Sequence, residues 1–499
     1  MSKIRGRIKV LADEEVRMIH EAALDVLRTV GMKIYHDEAR NYLRKAGCTV
    51  DEEKKIVKFP PEIVENSVKK LRKDFLRPER QGLKQGFRYS HENYYKRDEE
   101  IYYDFTTSAG GFLIKIYDLD GNRRPATMKD VHDSIKLING LDEITHSGLP
   151  CSDQSTRPSI RPIAMTAEMV KYTKKLGGFE AWTIDDIKYI EEIAIVVRGS
   201  KEELLKNPCL VGYGETRTPL SFDKDSATIF MEYIKRGFPQ SLDCMPAAGT
   251  TAPATSAATL MIGFAEVLTG LVLGYAIDEN AILSMDHTGG FSDMKSLLFC
   301  YAGADRLPLL GARIQLLRDF YGITSGVHSC KSNANEPGFQ SALEKTASTI
   351  FPLLCGAAGI GTIGQIEYGL TYSPTQLVLD AEICRYTRRI LRGFEVNKET
   401  LALDVIKRVG PEGSFISDLH TYDNFKKEFW LSDLMETITW DNYKSKDIRG
   451  MENIAREKAR EIMAKPLEPV LDDDQIKEID RIVDHADKHI TYEGTNPYL

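Results

Sequence analysis

The sequence predicts an α/β protein: a (β/α)8 TIM barrel with an N-terminal helical and β-rich extension and C-terminal helices. Strand and helix patterns alternate repeatedly between residues 126 and 425, which is typical of a parallel sheet. Seven such units occupy about 270 residues, close to the ~250 residues of a typical barrel. An open doubly wound sheet is the alternative, but no GxGxxG fingerprint opens a helix.

The N-terminal part, residues 1–79, is predicted to be mainly helical. From residue 13 to residue 30, apolar side chains recur at helical spacing, with Asp13 as the expected N-cap and Gly31 as the residue after the helix. A second helix is expected at 37–46. No residue here suggests chemistry.

Residues 80–125 are predicted to form a small β-rich element before the main domain. Alternating patterns indicate strands at 101–105 and 112–117, and the sequence DLDGN at 118–122 is typical of a turn. Thr127 is the expected cap of the next helix.

The barrel is predicted to be the catalytic domain, residues 126–425. Its strands are expected at 144–149, 179–183, 209–213, 240–244, 281–285, 324–328 and 358–363. The eighth strand has a weak pattern, and Phe415–Ser417 is the candidate. Residues 426–499 form a C-terminal helical region, with helices at 448–463 and 475–489. We expect these helices to pack on the barrel or on another subunit of a homo-oligomer.

The composition excludes several classes of protein. The net charge is −8 and the pI is about 5.8, so a general nucleic-acid binder is not expected. Eight scattered cysteines form no CxxC pair, and the N-terminus has no apolar leader, so we expect a cytoplasmic protein with reduced thiols. The apolar run 256–278 has the length of a membrane span, but Glu266 and glycines interrupt it. A buried helix is therefore predicted, and no membrane association.

A barrel carries its active site at the carboxyl ends of its strands. Three aromatic residues fall there: Trp182, Tyr213 and Tyr368. Aromatic faces bind quaternary ammonium groups, which cannot donate hydrogen bonds. Each residue taken singly also fits an ordinary core or rim position, so the hypothesis depends on their joint placement.

Zinc is the alternative ligand at this end of the barrel. His328 and Cys330 lie two residues apart, and further ligands would have to come from His287, Cys355 or Cys384. No downstream cysteine has a convincing strand-end position, so we expect no protein-bound metal.

Several motifs in a fixed order carry a family resemblance. They are Leu27–Gly31, Asp118–Pro125, the stretch MPAAGTTAPAT from Met245 to Thr255, Ala265–Glu266, Gly356–Gly359 and Glu367–Thr371. Together they resemble the trimethylamine methyltransferase (MttB) family over nearly the whole chain. The resemblance implies a (β/α)8 barrel that moves a methyl group from an amine to the cobalt of a corrinoid (cobalamin) on a separate cognate corrinoid protein.

The resemblance also bears on the substrate. Founding members carry pyrrolysine in the loop corresponding to His328–Asn335, whereas this chain has only standard residues there, such as Lys331. The chain therefore looks like the non-pyrrolysine branch, whose members demethylate quaternary amines such as glycine betaine, proline betaine and carnitine.

The expected function is methyl transfer from a quaternary amine, first glycine betaine, to Co(I) of a corrinoid protein, giving dimethylglycine. Glu215 or Glu367 would face the ammonium group, and His328 or Lys331 would meet the substrate carboxylate. Arg217 and Arg313 are further candidates, although Arg313 fits a surface position. A strand-end salt bridge is the structural alternative for each. Alternatives for the whole chain are another betaine or carnitine demethylase, a zinc-dependent thiol methyl-transfer barrel, and a non-catalytic quaternary ammonium binder.

Overall fold

The computed structural model describes residues 4–75, 101–179, 181–209, 212–323 and 326–491. The strands in chain order are β1 Met32–Ile34, β2 Thr49–Asp51, β3 Ile56–Lys58, β4 Thr106–Ala109, β5 Lys115–Tyr117, β6 Arg123–Pro125, β7 His146–Ser147, β8 Gly212–Glu215, β9 Ser221–Phe222, β10 Gln240–Asp243, β11 Ala247–Ala248, β12 Leu283–Met285, β13 Gly290–Ser292, β14 Phe299–Cys300, β15 Gly326–Val327, β16 Gly359–Ile363, β17 Gln365–Ile366 and β18 Thr371–Tyr372.

The α-helices alternate with these strands and continue to the C-terminal region. They are Asp13–Thr29, Asp37–Lys45, Pro61–Asp74, Met128–Gly140, Arg161–Tyr172, Ile184–Arg198, Lys201–Lys206, Lys224–Lys235, Ser256–Ile277, Arg306–Gln315, Phe339–Leu354, Pro374–Arg392, Leu403–Val409, Leu419–Glu428, Trp440–Lys444, Met451–Met463 and Asp473–His489. The predicted α/β class is confirmed.

Two parallel sheets form the centre of the molecule. One has the strand order β15-β16-β4-β7 and the other has the order β12-β10-β8, with every neighbouring pair parallel. A parallel bridge between Ser147 and Leu176 extends the first sheet. Within the described ranges no strand pairing joins the two sheets, so the hydrogen-bonded strands form two separate sheets and not one closed barrel.

The first and last strands of this arrangement differ from the prediction. The main sheet contains β4, whereas the sequence indicated a strand at 101–105 in a separate element; the sequence TTSA of β4 has no apolar alternation to mark it. The candidate strand Phe415–Ser417 is wrong, because these residues form an exposed turn. Both edges of β16 are already paired, with β15 and β4, so no later strand can add there. The division into four domains stays a prediction.

The apolar helix Ser256–Ile277 is a core helix, as predicted. It is long and apolar enough to cross a membrane, but 78% of its most apolar window is buried inside the protein. It packs against the N-terminal helices on one side and the sheet on the other. A Cβ at Gly270 would lie 2.5 Å from the Leu242 side chain of β10, so glycine permits this close approach. Contact on all sides explains why the helix lacks a polar face.

The ends of the chain largely follow the predictions. The first helix begins after Ala12, whose backbone N–H donates to the Glu15 carboxylate at 2.7 Å, so Asp13 is inside the helix rather than its cap. Thr127 caps the helix Met128–Gly140, as predicted. Both C-terminal helices, Met451–Met463 and Asp473–His489, pack on the outer helices of the α/β body through buried aliphatic side chains.

Candidate active site

A cavity of about 490 Å³ opens at the carboxyl ends of the parallel strands. Residues at or just beyond the ends of β4, β7, β8, β10, β12, β15 and β16 line it. Both parallel sheets therefore contribute to one pocket. Its volume is typical of a site for a small molecule, which is usually ~300–1,000 Å³.

The structure brings four of the seven predicted binding residues to this cavity. Trp182, Glu215, His328 and Lys331 all line it, and each is half-buried. Tyr213 lies on β8 with its backbone opposite Ser241, while its side chain is outside the described part of the structure.

Glu367 and Tyr368 lie apart from the cavity lining. The Glu367 carboxylate accepts two hydrogen bonds from Arg123, at 2.6 and 2.5 Å, and one from Thr371. Burial acts to raise the pKa of Glu367, but these hydrogen bonds and the Arg123 charge lower it overall. The Tyr368 backbone N–H donates to the Ser332 carbonyl at 2.9 Å. Both residues have positive φ, 52° and 43°, in a tight turn that the sequence pattern did not indicate. Their hydrogen bonds connect segments beside the cavity, and their predicted role in substrate binding stays a prediction.

The Lys331 ammonium group lies 3.8 Å from the centre of the Tyr301 ring. Burial and the nearby Arg306 lower the pKa of Lys331 to about 7, although Glu215 and Asp243 act in the opposite direction. Lys331 therefore changes charge near neutral pH. Burial also raises the pKa of Tyr301 to about 12, so the phenol stays neutral beside it.

Carboxylates form another part of the wall. Asp243, at the end of β10, accepts hydrogen bonds from the Thr288 backbone and hydroxyl at 3.1 and 2.7 Å. Asp286 forms an ion pair with Arg313. Arg313 is only 1% exposed and also donates to the Gly326 carbonyl of β15 at 3.1 Å, so its predicted surface position is wrong. Glu215 lines the cavity together with Asp243 and Asp286.

Trp182 is held from behind by the start of the next helix. The backbone N–H groups of Trp182 and Thr183 donate to the Asp186 carboxylate at 2.9 and 2.8 Å. Burial raises the pKa of Asp186 to about 6, while these two hydrogen bonds oppose the shift. Of the predicted strand 179–183, the described residues 179 and 181–183 are loop and helix cap, and the adjacent strand contact falls at Leu176.

Three further cavity residues escaped sequence reasoning: Tyr301, Asp243 and His146. Asp243 is the last residue of β10, but the predicted strand 240–244 ran one residue further and so placed Asp243 inside the strand instead of at its end. His146 follows from placing β7 beside β4 in the main sheet. Tyr301 follows the antiparallel pair β13–β14, which no sequence signal indicated.

The cysteines considered as zinc ligands are buried thiols. Burial raises the pKa of Cys330 to about 12 and that of Cys384 well above its usual value. Cys355 is buried as well, and His287 is enclosed with its Nε2 3.2 Å from the Thr259 carbonyl. In the described parts of the chain, no three His, Cys, Asp or Glu side chains are grouped as metal ligands.

The chain matches a known protein family over most of its length. The family model described as trimethylamine methyltransferase (MTTB) matches residues 2–87 and 101–491. The chain belongs to the trimethylamine methyltransferase family. Trimethylamine methyltransferase MttB of Methanosarcina barkeri (strain Fusaro / DSM 804) is 26% identical over 495 residues, covering 96% of each chain. Glycine betaine methyltransferase of Desulfitobacterium hafniense (strain Y51) is 26% identical over 482 residues, covering 95% of this chain and 96% of that protein.

A solved structure is also similar. The monomethylamine methyltransferase MtmB of Methanosarcina barkeri aligns with 98% of this chain and 96% of its own, at 13% identity and a TM-score of 0.42. Membership of the trimethylamine methyltransferase family makes the chain a corrinoid-dependent methyltransferase. The family works with a separate corrinoid protein.

In this trimethylamine methyltransferase family member, a fully buried ion pair connects two loops at the cavity. Lys345 Nζ lies 2.7 Å from Asp380 and donates to the Cys330 carbonyl at 2.8 Å, directly before Lys331. Asp380 also accepts from the Gly364 backbone at 2.6 Å, directly before the lining residue Gln365. The pair therefore joins the loop after β15 to the loop after β16.

Proposed function

We propose that this methyltransferase takes a methyl group from a quaternary amine, with glycine betaine as the first substrate and dimethylglycine as the product. The acceptor is the Co(I) corrinoid of a separate protein. One observation carries the proposal: the strand-end cavity combines an aromatic side chain, carboxylates and a lysine of adjustable charge in about 490 Å³. Aromatic faces and carboxylates attract an ammonium group, and a cationic lysine attracts the carboxylate of a betaine.

The two ends of the substrate can be assigned to different residues. Lys331 already covers the face of Tyr301, and Phe112 is only 6% exposed. Trp182 is the more accessible aromatic wall, so we assign the ammonium group to Trp182 and Glu215. The carboxylate then lies toward Lys331 and His328.

The main task of the protein in this reaction is to position the substrate. When the carbon–nitrogen bond breaks, its electron pair stays on nitrogen. The quaternary ammonium therefore leaves as a neutral tertiary amine, and no proton is needed. The reduced corrinoid supplies the nucleophile. The chain orients the methyl group and excludes water. Glu215 should hold the cation only moderately, since the positive charge disappears as the bond breaks.

We further propose that the two parallel sheets are parts of one (β/α)8 barrel. Both contribute strand ends to a single cavity, and β4 pairs with β16, joining an early strand to a late one. All eight cysteines are free thiols, which supports a cytoplasmic location.

The corrinoid protein is proposed to dock around the cavity mouth. Large apolar side chains are exposed on loops and a helix start beside the strand ends: Met294 at 67%, Leu297 at 63%, Phe339 at 86% and Leu370 at 45%. Exposed apolar clusters of this kind commonly mark binding surfaces.

Replacing Phe339 with glutamate should lower the methylation rate of the corrinoid protein at least about tenfold, because a charge would enter the apolar contact. The rate with free cobalamin should stay unchanged. Met18→Glu is the matched control, since Met18 is 61% exposed on the first helix, and it should affect neither rate. Equal rates of Phe339→Glu and Met18→Glu with the corrinoid protein would contradict this docking site.

Replacing Trp182 with alanine should lower kcat/KM for glycine betaine about five- to thirtyfold, equivalent to about 1–2 kcal/mol of lost cation–aromatic attraction. Trp182→Phe should retain most of the activity because it keeps an aromatic face. Steady-state kinetics with free cobalamin would measure both. Normal kinetics in the alanine variant would exclude Trp182 as the ammonium site.

The function itself is tested with the purified chain, Co(I) cobalamin and a panel of amines. We expect glycine betaine to give methylated cobalamin, seen in its absorption spectrum, and dimethylglycine, seen by mass spectrometry. Turnover of trimethylamine alone would contradict the quaternary-amine proposal. Turnover of another betaine or of carnitine would keep the proposed substrate class but replace glycine betaine as the substrate.

Binding of betaines without turnover, with the corrinoid protein present, would indicate a binding protein. Stoichiometric zinc by elemental analysis would favour a thiol enzyme.

A further inference from the structure

Arg306 carries a positive charge that the fold leaves without a counter-charge. The side chain is 1% exposed, and within the described part of the chain it forms no ion pair. Arg306 is also the first residue of the helix Arg306–Gln315, where the helix dipole disfavours a cation. Burial lowers the pKa of Arg306 to about 10, so the group stays charged at neutral pH. An unpaired buried charge costs stability, which points to a role beyond holding the fold together.

The hydrogen bonds of Arg306 to the described residues all go to main-chain carbonyls at the cavity. Its Nε donates to the Gly289 carbonyl at 3.1 Å, and its Nη2 donates to the Thr288 carbonyl at 3.5 Å. Its Nη1 donates to the carbonyls of Tyr301 at 2.8 Å and His328 at 3.2 Å. One planar guanidinium group therefore joins the loop after β12, the residue after β14 and the residue after β15.

The Tyr301 main chain is held on both sides. Its carbonyl accepts from Arg306, and its N–H donates to Asn333 Oδ1 at 3.1 Å. The guanidinium carbon of Arg306 lies 5.7 Å from the centre of the Tyr301 ring, and Lys331 Nζ lies 3.8 Å from the same centre. Two cations thus share one aromatic ring, which attracts each of them. Arg306 therefore fixes the ring on which Lys331 rests and adds positive charge beside it.

Several charged or titratable groups face the Lys331 amine: Tyr301, Arg306, Glu215, Asp243 and Lys345. The two carboxylates favour a proton on the amine. The two cations oppose it, and Arg306 is the stronger of them. A unit charge several ångströms away changes the titration of a neighbouring group by roughly one pH unit at an effective dielectric constant of ~20.

We propose that Arg306 is the positioning residue for the substrate-carboxylate end of the cavity, acting through Tyr301 and Lys331. Its guanidinium group holds the strand-end loops by their carbonyls, and its charge acts on the Lys331 amine. Arg306 itself does not contact the substrate, because main-chain carbonyls occupy its donors. The inference rests on the proposed function only for the carboxylate that this end binds.

The titration of Lys331 tests the electrostatic part without any substrate. Wild type and Arg306→Gln are treated with a trace of acetic anhydride at a series of pH values, and mass spectrometry follows acetylation of the Lys331 peptide. We expect a midpoint of about 7 in the wild type and a midpoint about one pH unit higher in Arg306→Gln. Equal midpoints would overturn the proposal. A wild-type midpoint near the ordinary lysine value of about 10.4 would overturn it without a variant.

Kinetics tests the positioning part. The measured quantity is the ratio of kcat/KM for glycine betaine to kcat/KM for tetramethylammonium, which has no carboxylate. At about pH 5.5, Lys331 is charged in both proteins, so a difference in this ratio reports placement alone. Arg306→Gln should lower the ratio at least about fivefold, because the loops lose their common anchor. If neither amine is turned over, the proposed function fails while the acetylation experiment still decides the role of Arg306.

The matched control is Arg318→Gln. Arg318 is half-buried, its Nη1 donates to the Gly356 carbonyl at 3.2 Å, and its guanidinium carbon lies 5.3 Å from the centre of the Tyr102 ring. Neither of these partners is among the described residues that line the cavity. Arg318→Gln should keep the wild-type Lys331 midpoint and the wild-type ratio. Arg306→Gln and Arg318→Gln with the same ratio at about pH 5.5 would overturn the positioning role.

Discussion

Replacing Asp380 with alanine is expected to lower the free energy of unfolding by about 3–5 kcal/mol, because it leaves a buried ammonium group without its counter-charge. Lys345 and Asp380 are both 0% exposed and lie 2.7 Å apart. Neither charge can be hydrated in place, so the loss should exceed that of any surface ion pair, which is typically ~0–1 kcal/mol. Urea denaturation monitored by circular dichroism would measure it.

The matched control is the double variant Lys345→Met, Asp380→Leu. Because it removes both charges and fills a similar volume, it should recover most of the lost stability. Its cavity loops lose two backbone anchors, at the Cys330 carbonyl and the Gly364 N–H, so its kcat/KM for the amine should still be reduced. A single variant as stable as the wild type would show that the pair does not support the fold.

The preference for glycine betaine over tetramethylammonium should fall about tenfold for each pH unit above pH 7. Lys331 has a pKa of about 7, lowered by burial and by Arg306, and kcat/KM reports the protonation state of the free enzyme. Below pH 7 the charged lysine attracts the betaine carboxylate and repels a simple cation. Above pH 7 it is neutral, so the attraction and the repulsion both disappear.

The ratio of the two kcat/KM values is the quantity to measure, because it cancels pH effects on steps that both substrates share. In Lys331→Met the ratio should be low and independent of pH. A wild-type ratio that is equally flat, or the same slope in both proteins, would remove Lys331 from substrate recognition.

The sequence was sufficient to place most of the central strands and four cavity residues, because the rule that polar residues follow parallel strands is strong. Trp182, Glu215, His328 and Lys331 were found in this way. Glu367 and Tyr368 lie outside the cavity lining, in a tight turn where both have positive φ. Positive φ is uncommon in residues other than glycine. The glutamate and tyrosine side chains give no indication of this backbone conformation.

The strand β4 was misplaced for a different reason. Its residues Thr106 and Thr107 are buried although they are polar, and the Thr107 hydroxyl donates to the Glu143 carbonyl of the neighbouring segment. Buried hydroxyl groups need hydrogen-bond partners. Which partner is available depends on which chain segments lie next to each other in the fold. Apolar periodicity cannot reveal this, so the first strand and the adjacent cavity residue His146 could be found only in the folded chain.

Nine of the 29 residues that line the cavity are glycines, so part of its wall is main chain. A glycine has no side chain to shorten, so at these positions a substitution can only narrow the pocket. The room for change is uneven: a methyl group at Gly359 would lie 1.9 Å from Thr106 Oγ1, whereas one at Gly178 would meet no atom within 4 Å. Evolution toward smaller amines therefore has an open route at Gly178, through single substitutions that fill space and leave the scaffold intact.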